Sequence, residues 1–391
     1  MKSPEIEVNN EVLRWARDSI GYSIEDIARK TGISPKILTE WETKTSKIRY
    51  SDVIKLAKVV KRATVALLLN KPPIEPAPPE YFRRSGEKGV LSPEVRVAVR
   101  KAKHLQHISK SLEENMHAEI KPMIQAVSLN DSPEKIAERE RTNIGITLEM
   151  QLKWKDSRKA LRNFRNSIEE KNIFVFQMKM PIDKVQGFSL MGDTATVIVL
   201  NSSDIFERRI FTLFHEYAHI LLGKTGICAD IDVAMPIEPH EKIEKWCNRF
   251  AGSFLVPKEE LSNELSENKI EKITYNTVES LAKLFSVSKH MIFVRLRLNS
   301  LIKDSDATEL SKIFKNKIPG TKMIEKTIKK EAKEKRSGPP QYRRCISEKG
   351  KKFVSLVLEN EKRGQITTAE ALGYLSLRLT NLPKVEAALK R

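Results

Sequence analysis

Phe211-Thr-Leu-Phe-His-Glu-Tyr-Ala-His-Ile-Leu-Leu-Gly223 decides how this chain is read, because it places His215, Glu216 and His219 in one apolar helix. Histidines at i and i+4 project from the same helical face, so both imidazoles can ligate one tetrahedral ion. Glu216 then stands beside that ion, where it can take a proton from water as the water attacks a carbonyl, the role a glutamate fills in an HExxH pattern. Ile210, Phe211, Phe214, Ala218, Leu221 and Leu222 supply a buried stripe. Asp204 followed by Glu207 predicts a capping box at the helix start, and Gly223 suits its C-terminal cap. A five-letter pattern with two free positions also arises by chance in core helices, so a third ligand has to be found.

Working downstream, Asp230, Asp232, Glu238, His240, Glu241 and Glu244 are the candidates. Glu244 falls in a second expected helix, 243–255, whose Ile243, Cys247, Phe250 and Phe254 form an apolar stripe that Val256-Pro257 ends. Its carboxylate borders that stripe, a position from which a metal on a neighbouring helix is in reach. Upstream, Asn172-Ile-Phe-Val-Phe-Gln-Met178 and Ala195-Thr-Val-Ile-Val-Leu200 are β-branched and aromatic runs bounded by turn residues, and both predict strands. Gly187-Phe-Ser-Leu190 predicts a third. Strands followed by the histidine helix make a small α+β unit, in which 195–200, if at the sheet edge, can also hold a substrate backbone by strand addition.

Further out, residues 11–70 predict five short helices. Ser23-Ile-Glu-Asp26 is a capping box, Thr31-Gly32 a turn, and Ser34-Pro35 an N-cap followed by proline at the first helical position. Helix, glycine turn, helix is the helix-turn-helix pattern. Lys71-Pro-Pro-Ile-Glu-Pro-Ala-Pro-Pro-Glu80 predicts a stiff linker. Residues 92–166 read as charged helices connecting two functional parts, with His104 and His107 on a solvated face. Residues 278–298 repeat the helix-turn-helix flavour, with Lys289, Arg295 and Arg297 as candidate DNA contacts, but Leu281, Leu284, Phe285, Ile292, Val294 and Leu298 demand burial, so this pair is expected to cap the α+β unit. Residues 321–336 carry seven bases against three acids, an exposed segment suited to nonspecific phosphate contact. Gly338-Pro-Pro340 breaks it, and the tail from Gln341 predicts a small helical docking module. The expected partition is therefore 1–70 helix-turn-helix, 71–91 linker, 92–166 connector, 167–300 metal unit, 301–340 basic linker and 341–391 C-terminal module, mainly α with one small α+β unit.

The 391 residues hold 70 basic and 51 acidic side chains, a net charge of +19. That balance favours polyanionic partners, nucleic acid first. No apolar run approaches the ~18 residues that would span a bilayer, and Met-Lys-Ser-Pro-Glu-Ile-Glu is too polar to open a signal peptide. Cys228, Cys247 and Cys345 form neither a disulfide framework nor a CxxC pair. A cytoplasmic protein without membrane contact is expected.

Two resemblances rest on these residues. The run from Ser23 to Leu69 resembles the Cro and lambda-repressor type of helix-turn-helix domain, with Ile27, Ala28, Ile33, Leu38, Trp41, Leu56 and Ala57 at its core positions. The likeness makes 35–41 the recognition helix, turning Lys36 and Thr39 to the groove and Lys44 to phosphates. Ile24 departs from the glutamine common there, and Glu40 and Glu42 bring negative charge to the supposed DNA face, which leaves protein docking as the alternative use. Arg-Arg-Ile-Phe-Thr-Leu-Phe-His-Glu-Tyr-Ala-His-Ile-Leu-Leu-Gly223 followed by Ile243-Glu-Lys-Trp-Cys-Asn-Arg-Phe-Ala251 is similar to the ImmA/IrrE metallopeptidases, whose histidine helix is followed by Glu-x-x-Ala-Asn-x-Phe-Ala. The likeness implies a zincin-like fold, Zn2+ held by His215, His219 and Glu244, and Glu216 as general base. Cys247 replaces the motif's alanine, and Tyr217 stands where an aliphatic is more usual. It also implies a regulatory zinc endopeptidase that cleaves a repressor-type or antitoxin-like protein, with the helix-turn-helix targeting DNA or that partner. The alternative is a DNA-binding transcriptional regulator whose zinc site is structural.

Overall fold

The computed structural model describes residues 3–74, 91–117, 121–183, 185–192, 195–223, 227–228, 238–317 and 338–390. Most of the proline-rich stretch, the basic run 321–336, and Asp230 and Asp232 lie outside these residues. The chain divides into two compact units, Met1–Lys101 and Ala102–Arg391.

In the first unit, α1 (Asn10–Ile20), α2 (Ile24–Thr31), α3 (Pro35–Thr43) and α4 (Tyr50–Val60) are followed by a 3-10 turn, Thr64–Leu68, where a fifth helix was expected. Local chemistry sets their ends. The Ser23 and Asp26 side chains reciprocally cap α2, and Gly32 stops it at φ 74°, a left-handed conformation that glycine adopts without steric penalty. Ser34 caps α3. A two-stranded antiparallel ribbon, β1 (Glu5–Val8) and β2 (Ser46–Arg49), was not foreseen. Each strand buries a single side chain, Val8 and Ile48, too little for alternation to show in the sequence. Ile27, Leu38, Leu56 and Ala57 are in the core, and Ala28, Ile33 and Trp41 pack half-buried against it. Glu42 is also buried, held by both terminal contacts of Arg17 at 2.7 and 2.8 Å. One of the two acids expected on the DNA face is thus an internal structural pair.

The second unit is built on four strands in the order β3-β5-β4-β6: β3 (Ile173–Met178), β4 (Gly187–Leu190), β5 (Thr196–Asn201) and β6 (Ile227–Cys228). β5 runs parallel to β3 and antiparallel to β4. It lies between two partners, so the expected role of 195–200 as a substrate-binding edge is corrected. Every residue of β5 and nearly every residue of β3 is buried, which explains their unbroken apolar runs, since both sheet faces are covered. Ile173, Val175, Ile198 and Leu200 enter a large core with α8 (Ser157–Glu169) and the histidine helix α9 (Phe206–Leu221). Phe174 and Phe176 meet Phe353 of the C-terminal segment, ring centres 6.3 and 5.4 Å apart.

Residues beyond the expected α+β unit therefore complete it. The helices α6 (Pro133–Ile144), α7 (Leu148–Leu152) and α8 lie inside the same core, together with α10 (Glu238–Leu255), α11 (Lys258–Glu267), α12 (Tyr275–Phe285), α13 (Lys289–Leu298) and α14 (Asp304–Lys317). The α12–α13 pair caps this core as expected. Arg295 is buried, bonding Val256 O and Ser253 Oγ, and Lys289 pairs with Glu279 at 2.6 Å; the first is thereby removed as a DNA contact. Leu298 is 58 % exposed, against expectation. From the C-terminal segment, α15 (Gln341–Lys349) and α16 (Lys351–Lys362) seat on the buried Arg165–Glu169 pair. Glu169 Oε2 accepts the Lys352 N–H at 2.9 Å, a carboxylate at the open N-terminus of a helix, where backbone donors lack other partners. Gly350, at φ 85°, passes so close that a Cβ would strike this pair. α17 (Thr368–Leu375) and α18 (Leu382–Leu389) complete the segment. No helix among the described residues is long and apolar enough to cross a membrane.

Candidate metal centre

Sixteen residues, Phe206–Leu221, form α9, and from Thr212 to Leu221 every one is buried. The expected capping box is absent. Ile205 is the N-cap and has no side chain to offer. Asp204 instead accepts the Ile205 N–H at 2.8 Å and pairs with Arg208 at 3.2 Å, and Glu207 accepts the Ser157 hydroxyl at 2.6 Å. A local partner has taken Asp204 and a tertiary one Glu207, the two side chains that spacing assigned to the cap. At the other end Gly223, at φ 64°, bonds back to Ile220 O.

α10 packs along α9 through stacked rings, with Phe214 and Phe254 centred 3.9 Å apart. Its C-terminal carbonyls are met from outside. Arg141 of α6 donates to Phe254 O at 2.6 Å, and Gln151 of α7 donates to Leu255 O at 2.9 Å. This anchoring fixes Glu244, which is 3 % exposed and faces the histidines.

His215, His219 and Glu244 converge. Each offers one ligand atom, all within 4.8 Å of one another, and no other such trio occurs among the described residues. The two Nε2 atoms are 3.1 Å apart, Glu244 Oε2 is 3.1 Å from His215 Nε2, and Oε1 is 3.3 Å from His219 Nε2. Ligands bonded at ~2.0–2.1 Å to one tetrahedral zinc stand about 3.3–3.4 Å apart; the two Nε2 atoms are near that spacing, the two Glu244 oxygens divide between the imidazoles, and the two-nitrogen, one-carboxylate donor set fits that ion. Burial disfavours protonation of His215, but hydrogen bonding and charge from Glu244 outweigh it and raise its pKa. Glu244 is held well below the ordinary carboxylate range, the imidazoles prevailing over its burial. Glu241 is half-buried and pairs with Lys245; the side chains of Glu238 and His240 lie outside the described residues.

Glu216 is wholly buried, and neither carboxylate oxygen has a protein hydrogen bond of ordinary geometry. Burial raises its pKa, with the imidazoles and Ser189 of β4 opposing. Gly187 explains how β4 comes so close: a Cβ there would lie 2.5 Å from Thr212 Cγ2 and 2.8 Å from Val199 O. Two contacts were missed in the sequence, one at this centre and one that ties its helix to α6. Asn248 Oδ1 is 2.9 Å from His215 Nδ1, and the Tyr217 hydroxyl donates to buried Glu140 at 2.6 Å. The motif containing Asn248 was visible, but not what it bonds.

Lys36, Thr39 and Lys44 are exposed on or just after α3, the helix the resemblance assigns to DNA. Thr39 Oγ1 donates to Pro35 O at 2.9 Å. Lys44 pairs with Glu40 at 2.8 Å.

Fold and centre together define a chain that joins a helix-turn-helix DNA-binding module to a metallopeptidase domain. Residues 168–297 match the IrrE N-terminal-like domain of peptidase family M78, and residues 13–65 match the helix-turn-helix family. Comparison with curated proteins yields no match.

Proposed function

We propose that the chain is a zinc-dependent endopeptidase acting as a regulator, cleaving a repressor-type or antitoxin-like protein, with the helix-turn-helix module directing it to DNA or to that partner. The observation that carries this reading is the His215, His219, Glu244 trio at zinc-ligand spacing with buried Glu216 next in the helix. A catalytic zinc takes three protein ligands and keeps a fourth position for water, and this trio supplies three. Zinc bound by these three side chains would supply Lewis acidity, polarising a carbonyl and making water a nucleophile near neutral pH.

Glu216 is the proposed general base. It takes a proton at a carboxylate oxygen from the attacking water and returns it to the leaving amine. Its burial favours the protonated form it must pass through. For the substrate backbone, β4 replaces β5 as the proposed docking strand. Among the described residues β6 pairs with Gly187 and Phe188, and the proposed docking edge is the part of β4 beyond them, where Ser189 stands beside Glu216. Extended peptide added to that edge would bring its carbonyl toward the base. Lys36 and Thr39 at the groove and Lys44 at phosphate are the proposed DNA contacts. A cytoplasmic setting suits the buried Cys247 and Cys345, which form no disulfide with each other.

The decisive comparison is wild type against Glu216→Gln, each zinc-loaded and incubated with the repressor-type proteins encoded beside its gene. Wild type is expected to generate a new fragment, and the variant, with equal zinc and an unchanged circular dichroism spectrum, none. A variant that cuts as fast as wild type would remove Glu216 from the mechanism.

A further inference from the structure

Two successive turns of α10 address the two nitrogens of a single imidazole. Glu244 Oε2 lies 3.1 Å from His215 Nε2, and Asn248, one turn on, places Oδ1 2.9 Å from His215 Nδ1. A neutral imidazole carries one proton and one lone pair, and which nitrogen holds the proton is settled by the partner on the other side. An amide oxygen only accepts, so Asn248 keeps the proton on Nδ1 and leaves the Nε2 lone pair directed at Glu244 and His219. His219 Nε2 sits 3.1 Å from the same atom, and a proton on His215 Nε2 would point into this convergence and block it.

We infer that Asn248 is a positioning residue that fixes the tautomer and ring orientation of His215 for metal binding, an inference resting on the metal reading above. Its location argues against a packing role. Asn248 is exposed, whereas its neighbours Cys247 and Phe250 are fully buried. Asparagine is also a poorer residue than alanine for a helix interior, so its presence in the middle of an 18-residue helix asks for a compensating contact, and the bond to His215 is the one on view. Because the amide bridges from solvent-facing backbone to a wholly buried ring, it also resists rotation of that ring about its Cβ–Cγ bond.

The test measures zinc affinity of the full chain by competition with a chromophoric chelator, alongside the melting temperature of the metal-free protein. Asn248→Ala and Asn248→Leu are expected to weaken zinc binding about 10- to 100-fold, the range seen when such outer partners are removed, with the metal-free melting temperature unchanged. Asn248→Asp retains an acceptor at the same atom and is expected to restore wild-type affinity or better. Wild-type affinity in both the Ala and Leu variants overturns the inference while leaving the metal reading intact. A loss of metal-free stability that the Asp variant fails to repair assigns Asn248 to packing and equally overturns it. Wild type that takes up no zinc defeats the metal reading itself, and this inference with it.

Discussion

Tyr217 sits between the proposed base and the second histidine in sequence, yet its hydroxyl is committed elsewhere, 2.6 Å from Glu140 on α6. Burial and the facing carboxylate both push its pKa up, so it stays a hydrogen-bond donor at any physiological pH. The tyrosine that departs from the family pattern is thereby a cross-link between the histidine helix and α6, and its reason lies 77 residues away in the chain, beyond any local pattern. Removing the hydroxyl in Tyr217→Phe leaves a buried carboxylate oxygen without its donor and is expected to destabilise the second unit by about 1–3 kcal/mol. Urea unfolding checks this; an unchanged midpoint would mean that water replaces the phenol. His215, Glu216 and His219 were legible because i, i+4 spacing is a local property of one helix. Glu244 was one of six residue-level candidates until the family motif singled it out, because which carboxylate faces α9 depends on how α10 packs.

At the scale of elements, apolar runs revealed β3, β4 and β5 to within a residue, but not their order. β5 entered the centre of the sheet and could not be an edge, since strand order is decided by long-range pairing on which periodicity is silent. The cap of α9 failed for a related reason in part: Asp204 and Glu207 are spaced for a capping box, but Arg208 one turn on claims the first and Ser157, 50 residues away, the second. The largest revision concerns α15–α18, read from the sequence as a docking module. These helices cover β3, with Phe353 against Phe174 and Phe176, and Gln177 donates to Ser347 O at 2.7 Å. Buried Glu113 of α5 (Pro93–Asn115) reaches Lys352 at 3.1 Å. A chain ending at Gly338 would expose those rings and leave Arg165 and Glu169 short of partners. It is expected to unfold at lower urea and to bind a hydrophobic dye, while the intact chain does neither. Retention of the wild-type midpoint would make α15–α18 dispensable.

For the molecule as a whole, the surplus of 19 positive charges favours association with polyanions but says nothing of sequence. In the proposed DNA contact, discrimination would fall to α3, where the charge is mixed. Lys44 and Glu40 are both exposed, so solvent screens their pair and it is readily given up to a phosphate. Lys44→Ala is expected to lower DNA affinity uniformly across sequences and to reduce the salt slope by about 0.9, whereas Lys36→Ala should narrow the gap between operator and random DNA. Fluorescence anisotropy over a salt series separates the two; equal slopes for wild type and Lys44→Ala would place the phosphate contact elsewhere.

The cover of the sheet has one more consequence, which concerns timing on the ribosome. Gln177 waits 170 residues for Ser347 to be made, while every residue of the α1–α4 core lies within the first unit. Domains fold largely in order of synthesis, so the helix-turn-helix unit can be complete while the unit holding the His215, His219, Glu244 trio still lacks part of its wall. On the proposed function, a nascent chain would then be able to read DNA before it can cut protein, and a prematurely terminated one would be left with a reader and no blade.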